Sequence, residues 1–371
     1  MSQSRLVLIP LILNSLAFSG LVFRDTSPPA ARMGTVTVAS SMLEPRSGHT
    51  ATLLPDGKVL ITGGMRRNQD FYKSAELYDP ATGKFQVSGQ MSVGRVGHTA
   101  VLLRTGKVLI AGGWIGHECT DSAELYDLAT REFTVLAATM TTRRGNARAT
   151  LLPSGDVLIT GGADHDSPGG IAASEIFHVE DMRFHAVKPM HFARVAHTAT
   201  LLRDGRVLIV GGRGQNVNAV AEIYDPKTES FIETGRLNTA RYKHTAGLLP
   251  DGRVLIAGGS DERDWNGNLS STEIYDPKTG KFNSAPPLIS SRFKLPEEAV
   301  MLSSGELLIA GGSKEVELFD PAHAKFIEAT GEISGPWHFM TETRLKDGSV
   351  LLAGGYANND RATAQTWIYK P

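Results

Sequence analysis

The sequence predicts an all-β protein, a seven-bladed β-propeller, and three observations carry that prediction. First, an apolar run ends in a Gly-Gly pair seven times, at Gly63-Gly64, Gly112-Gly113, Gly161-Gly162, Gly211-Gly212, Gly258-Gly259, Gly311-Gly312 and Gly354-Gly355, with intervals of 43 to 53 residues. Self-similarity at such a period marks an architecture whose units bury their apolar faces only against one another. Second, each unit breaks into four short strand-like runs, a to d, separated by turn residues. Third, the last unit lacks its run d, and a run of that kind stands alone near the start of the chain.

The elements follow in order. Arg5, the apolar Leu6–Leu13 and a small-residue stretch to Gly20 have the three parts of a secretory signal. An uncleaved anchor over Leu6–Phe23 is the alternative, 18 residues that barely span a bilayer. Pro10, Asn14 and Ser15 within it favour cleavage. Residues 1–24 are therefore read as signal peptide or anchor, 25–32 as linker and 33–371 as propeller, with a secreted, periplasmic or cell-surface location expected. Membrane association is expected only if the anchor is retained.

In the first unit, His49–Leu54 is run a, Pro55-Asp56-Gly57 a turn, and Lys58–Ile61 leads run b into Gly63-Gly64. Ala75–Asp79 is run c, Pro80–Gly83 a turn, and Lys84–Val87 run d. A glycine closes the a–b turn in every copy, from Gly57 to Gly348, because a tight hairpin needs a positive φ there. Run b is apolar on both faces, as in Val108-Leu109-Ile110, so it must be covered on both sides. Sheets stacked radially provide that cover. The last unit stops after Ile368-Tyr369-Lys370-Pro371, and Thr35-Val36-Thr37-Val38 lies before Arg46 as a run d should. Blade seven is expected to be closed by this N-terminal strand, which removes an exposed sheet edge.

Composition excludes several functions. The formal charge is −1, from 38 basic and 39 acidic residues, so no field exists to collect nucleic acid. One cysteine excludes an internal disulfide framework and cysteine-rich zinc modules. No nucleotide-binding loop, Ser–His–Asp spacing or HExxH motif occurs.

The Gly-Gly pairs, the Glu-x-Tyr-Asp-Pro segments, the later aromatic and the period resemble kelch repeats. The form Arg-x-Gly-His-Thr-Ala-x-Leu-Leu is similar to the propeller of galactose oxidase and to bacterial kelch proteins. The resemblance covers about nine tenths of the chain and implies fold rather than function.

Two sets of charged residues recur in register: Arg46, Arg95, Arg144, Arg194, Arg241 and Arg292 before run a, and Glu76, Glu124, Glu175, Glu222, Glu273 and Glu317 in run c. The seventh unit has Trp337 and Trp367 instead. The arginines could ring an opening as an anion site. The joint loss of both partners in one unit favours an intrablade Arg–Glu clamp lying across the side-chain-free Gly-Gly, bidentate if geometry allows. His49, His98, His197 and His244 share a further position with Ala147, Leu295 and Met340. A position that accepts leucine reads as packing rather than as a metal site. The Tyr78, Tyr126, Tyr224 and Tyr275 set alternates with Phe177 and Phe319 and reads as core.

Function is expected in the variable b–c loops, which share one face with the d–a connections. The candidate ligand-binding residues are Arg67, Tyr72, Trp114, His117, Asp164, His165, Arg213, Asn216, Asp261, Trp265, Trp337 and Tyr356. Aromatics beside Asp, Asn and Arg suit sugar rings or polar peptides. The leading expectation is a monomeric binding or scaffold module for a protein or glycan, without cofactor or metal. A cofactor-free sugar enzyme of mutarotase or lyase type is the alternative, with Asp164-His165-Asp166 and Asp261/Asp264 as possible acid–base groups. A copper radical oxidase ranks third. The galactose oxidase resemblance implies a cysteine crosslinked to tyrosine, a second tyrosine and two histidines. Cys119 is the only cysteine and no Tyr-His pair occurs, so that ligand set does not carry over.

Overall fold

A computed structural model describes residues 33–67, 70–167, 169–357 and 361–371. The leader or anchor and the linker expected over residues 1–32 lie outside them. The described residues form seven four-stranded antiparallel sheets. Blade 1 consists of Thr50–Leu53 (a), Val59–Thr62 (b), Ser74–Asp79 (c) and Lys84–Gln90 (d), and the later blades repeat it. Blade 7 takes Thr341–Arg344, Val350–Ala353 and Thr366–Lys370 from the end of the chain and Thr35–Val38 from its beginning. Val36 stands opposite Tyr369 and Val38 opposite Trp367, so the ring is closed as the repeat phase predicts.

Strand b is apolar on both sides because each side serves a different seam. Val108 and Ile110 pack with Leu54, Leu60 and Leu77 of blade 1. Leu109 and Ala111, alternating with them, pack with Val157 and Ile159 of blade 3. The Tyr/Phe position of strand c meets the strand d aromatic at ring separations near 4.9 Å, as in Tyr78–Phe85 and Phe177–Phe184.

The Gly-Gly pair is the hub of each blade. Gly63 and Gly64 have φ of +60° and +88°. A Cβ on Gly63 would stand 2.5 Å from the Arg95 carbonyl oxygen of the next blade, and one on Gly64 would meet the His49 Cβ at 2.8 Å. Only glycine fits both sites. The close approach lets the Gly64 N–H donate to the Arg95 carbonyl at 2.9 Å, and this bond recurs at every seam, ending with Gly355 to Arg46 at 2.8 Å.

The arginine side chain holds the hub from the other side. Arg46 Nη1 donates to the Gly63 carbonyl at 2.6 Å, and Arg95, Arg144, Arg194 and Arg241 bind their own first glycine the same way at 2.8 Å. Each guanidinium also pairs with the strand c glutamate: Arg46–Glu76 at 3.1 Å, Arg95–Glu124 at 2.7 Å, Arg144–Glu175 at 2.8 Å, Arg194–Glu222 at 2.6 Å and Arg241–Glu273 at 3.2 Å. Arg292 pairs with Glu317 likewise. The contact is one N–O pair per blade rather than a bidentate fork, because the rest of the guanidinium serves backbone carbonyls. The glutamates turn their oxygens to N–H groups of the incoming loop, as Glu76 does for Leu43 and Glu44. All six arginines are buried, so the six circle no open anion site. In blade 7, Trp337 and Trp367 fill the same space with ring centroids 6.3 Å apart.

Blade 6 departs from the repeat. Pro296 and Glu297 lengthen the approach to strand a, which shrinks to Val300–Met301. The extra segment leans onto blade 5, where the Ala246 N–H donates to the Glu297 carbonyl at 3.3 Å and Ala246 bridges Glu298 in parallel. Ala310 then has no strand a residue opposite it, and its N–H donates to Glu342 Oε1 at 2.7 Å. Glu342 occupies a position that is alanine in the other six blades.

Removing one half of a buried ion pair strands the other charge, which costs about 3–5 kcal/mol. Arg194→Met is expected to lower stability by that amount in denaturant titrations. Arg206→Met, on the surface, should change it by less than about 0.5 kcal/mol. Equal effects would refute the clamp's role.

Candidate functional site

The d–a connections reach the axis two residues after each of the six clamp arginines and after Trp337, at Gly48, Gly97, Asn146, Ala196, Lys243, Lys294 and Phe339. All seven have φ between 51° and 61°. Backbone bonds link them into a rim: Gly97 N–H to Gly48 O at 3.1 Å, Asn146 to Gly97 at 2.7 Å, Lys243 to Ala196 at 3.0 Å, Phe339 to Lys294 at 2.9 Å, and Gly48 to Phe339 at 3.2 Å. The left-handed conformation suits glycine and costs other residues of order 1 kcal/mol or more. Blades 5, 6 and 7 nonetheless place Lys, Lys and Phe there, and their side chains build a cluster.

Lys294, buried, holds its ammonium 3.5 Å from the Trp265 ring centroid, 5.0 Å from Phe293 and 5.2 Å from Tyr356. It donates to the Tyr356 hydroxyl at 2.6 Å. Such a desolvated cation over aromatic faces gains about 2 kcal/mol. Trp265, on a short 3-10 turn over Asp264–Asn266, stands edge-on to Phe293 and His338 and remains 44% exposed. Lys243 donates to Asp264 Oδ1 at 2.8 Å, and the Tyr242 hydroxyl donates to the same oxygen. Burial by itself would raise the Asp264 pKa, but these hydrogen bonds outweigh it and hold the carboxyl below its usual range. His338 is lowered to about 4 by burial and by the nearby Lys294 charge.

Below the rim, strands a surround a channel with a cavity of about 590 Å³. Its wall carries Arg148, where the other blades have threonine or Glu298, together with Glu297, Glu298 and Glu342. Arg148 crosses from blade 3 to pair with Glu297 of blade 6 and donates from Nε to the His197 carbonyl at 2.6 Å. Burial raises the Glu342 pKa to about 8, against the pull of its backbone donors and of Arg292.

The structure distributes the expected site residues unevenly. Trp265 and Tyr356 come together around Lys294, and Arg213 lies near them with its guanidinium 5.8 Å from the Tyr242 ring. Trp114 and His117 belong to a small hairpin, Trp114–Ile115 with Glu118–Cys119, beside an apolar hollow lined by Phe71, Val96 and Phe339. Asp164 is half-buried near Arg143, His165 is exposed beside Asp166, and Asn216 is exposed. Asp261 is engaged by Arg263 of its own loop. Tyr72 lies under the Arg46 guanidinium at 4.7 Å, and Trp337 packs on Trp367 in blade 7, so each also serves the blade hub. Tyr242, Lys243, Phe293, Lys294, His338, Phe339 and the channel charges went unnoticed in the sequence. Their signal was a departure from the repeat at positions facing the axis.

The four histidines are seam fasteners. His98 Nε2 meets Thr50 and Thr62 of the preceding blade at 3.0 Å, His197 meets Thr160, His244 meets Thr198, and His49 meets Thr341 across the closing seam. Among the described residues no group of three His, Cys, Asp or Glu side chains is placed to hold a metal.

A family model for the kelch motif matches residues 95–140 and 241–289, the second and fifth blades. The chain is a kelch-repeat β-propeller. A search of curated proteins returns no match. Among solved structures, a fungal alcohol oxidase of the AA5 family, in complex with copper, superimposes with a TM-score of 0.73 at 18% identity, over 91% of this chain and 76% of that one. Identity this low carries the fold alone. Among the described residues, Cys119 and the axial tyrosines do not supply the ligand set of a copper radical centre. Cys119 is buried, donates to the Ala163 carbonyl at 3.2 Å and pairs across its hairpin with Trp114 rather than a tyrosine. Burial pushes its thiol up to about 12. Tyr242 and Tyr356 are engaged with Asp264 and Lys294 in the rim cluster.

Burial, with the nearby arginines, lowers His49 and His98 to about 3 from an ordinary 6.5. The unfolded chain then binds more protons than the folded one between those values, so stability falls as pH drops from about 6.5 toward 3. In His98→Leu, melting measured across pH 3–8 should show a shallower loss than the wild type. An unchanged slope would show that the histidines do not carry the acid sensitivity.

Proposed function

We propose that this propeller is a carbohydrate-binding module whose site is the axial mouth on the face of the b–c and d–a loops. The observation that carries the reading is the Lys243–Lys294–Phe339 series. These side chains stand at left-handed backbone positions where blades 1 and 2 use glycine, and they assemble an aromatic and cationic cluster over an open channel. The exposed remainder of Trp265 offers a platform for a sugar ring, while Arg213, Lys243 and Asp264 offer hydroxyl partners beside it. The mouth's titratable groups support binding over acid–base catalysis. Asp264 is held ionised and His338 is lowered to about 4, so neither is poised for proton transfer near neutral pH, and Glu342, raised to about 8, has one carboxylate oxygen taken by the Ala310 N–H in the channel wall.

A glycan array should return ligands for the purified protein, and binding should quench the tryptophan fluorescence. Trp265→Ala is expected to weaken binding about tenfold or more, as loss of a stacking platform does, with the folded state retained by circular dichroism and a melting temperature lowered by loss of the Lys294 contact. Full affinity in that variant would move the site elsewhere. Conversion of a bound sugar in a mutarotation or lyase assay would favour the enzymatic reading instead.

A further inference from the structure

The axial site has a limited depth as well as a mouth, and three features of the ring set it. The first is closure. Thr35–Val38 completes blade 7 and a Gly-Gly backbone bond ties every seam, so the channel is enclosed all round. A polymer cannot slip into it sideways, and whatever reaches its wall enters lengthwise.

The second feature is a charged bar beneath the mouth. Arg148 of blade 3 pairs with Glu297 of blade 6, three blades away. The blades between them support both ends. His197 of blade 4 accepts from Arg148 Nε at 2.6 Å, and Ala246 of blade 5 donates to the Glu297 carbonyl at 3.3 Å. The pair therefore runs as a chord over blades 4 and 5, where Thr198, Thr245 and Ala246 are buried. In blades 1, 2 and 7 the matching Thr50, Thr99 and Thr341 stay partly open and line the cavity.

The third feature is where the cavity stops. Its lining runs from the rim at Gly48, Gly97, Asn146 and Phe339 down to Ala51, Ala100, Ala149 and Glu342. Among the described residues, none further along those strands lines it. Three residues at strand rise make the pit roughly 10 Å deep, enough for the end of a chain and not for its passage. Its lower wall is polar. The Glu297 side chain is more than half exposed there, and Glu298 is exposed with no ion pair among the described residues. Carboxylates accept from hydroxyl groups and a guanidinium donates to them, which suits the several hydroxyls of a terminal sugar.

We propose that the axial mouth reads chain ends: the terminal residue of an oligosaccharide enters lengthwise, and Arg148, Glu297 and Glu298 select it through its hydroxyls. The inference rests on the glycan-binding reading and deepens it, naming the part of a glycan that is recognised.

The test is an array displaying glucose, galactose, mannose, xylose and N-acetylglucosamine, each once as the terminal residue and once capped by a different sugar. The same oligosaccharides, free in solution, serve as competitors. A bound sugar is expected to lose about tenfold or more in affinity when capped. Competition in solution without array binding, where reducing ends are tethered, would support end recognition through the reducing end. Glu298→Gln should weaken the terminal ligand about tenfold, as loss of a hydrogen bond to a charged group does. The double variant Arg148→Ala/Glu297→Ala removes both charges of the bar together and should erase the preference for terminal over capped sugars. If circular dichroism shows that the double variant does not fold, Glu298→Gln decides alone. Capped sugars binding as well as terminal ones, or a preference unchanged in the folded variants, would overturn end recognition and leave glycan binding standing. Absence of binding both on the array and in solution would overturn both readings.

Discussion

Everything in this molecule depends on the hydrogen bond from the second glycine of each pair to the carbonyl of the following blade's clamp residue. The bond is short, repeated at all seven seams, and possible only because neither glycine carries a Cβ. Once two backbones approach that closely, the guanidinium has room to lie over the first glycine and reach the strand c glutamate. That glutamate in turn anchors the loop entering the blade. A chain of obligations therefore runs from one missing side chain to a buried ion pair to an ordered loop. Blade 7 shows that the ion pair is one solution among others, since Trp337 and Trp367 fill the same volume while the seam bond persists from Gly312 to Trp337 at 3.0 Å.

A frame held this way leaves its loops free to vary and its axial rim free to carry chemistry. The rim residues share one left-handed backbone conformation whatever their identity. In blades 1 and 2 glycine adopts it without strain, whereas Lys243, Lys294 and Phe339 adopt it at a cost. The aromatic enclosure of the Lys294 ammonium and the Lys243–Asp264 ion pair offset that cost locally. Asn146 and Ala196 share the left-handed backbone, so it is the cluster, rather than the strain, that distinguishes blades 5 to 7 from the rest of the rim.

Blade 6 shows how the same frame absorbs damage. Two inserted residues pull its innermost strand away, and neighbours repair the loss. Ala246 of blade 5 takes up the displaced backbone, Glu342 of blade 7 accepts the exposed Ala310 N–H, and Arg148 of blade 3 braces Glu297 across the channel. A carboxylate used to complete a sheet is desolvated, which is why the Glu342 pKa rises.

The fold was legible because its determinants recur. Seven glycine pairs, six arginines and six glutamates in phase report a shared backbone geometry, and the Trp337/Trp367 exchange even exposed which residues were partners. The axial site was mostly illegible for the opposite reason. Phe339, Arg148 and Glu342 each occur once at their repeat positions and lysine only twice, as Lys243 and Lys294, and so few departures carry no pattern. Trp265 and Tyr356 stood out as loop aromatics, but nothing local revealed that the 90 residues between them return both to one lysine. Local sequence determines turns, strands and repeat phase because these depend on neighbours in the chain. Which solitary side chains meet at the axis is decided by closure of the ring, when residues from different blades are brought within contact distance.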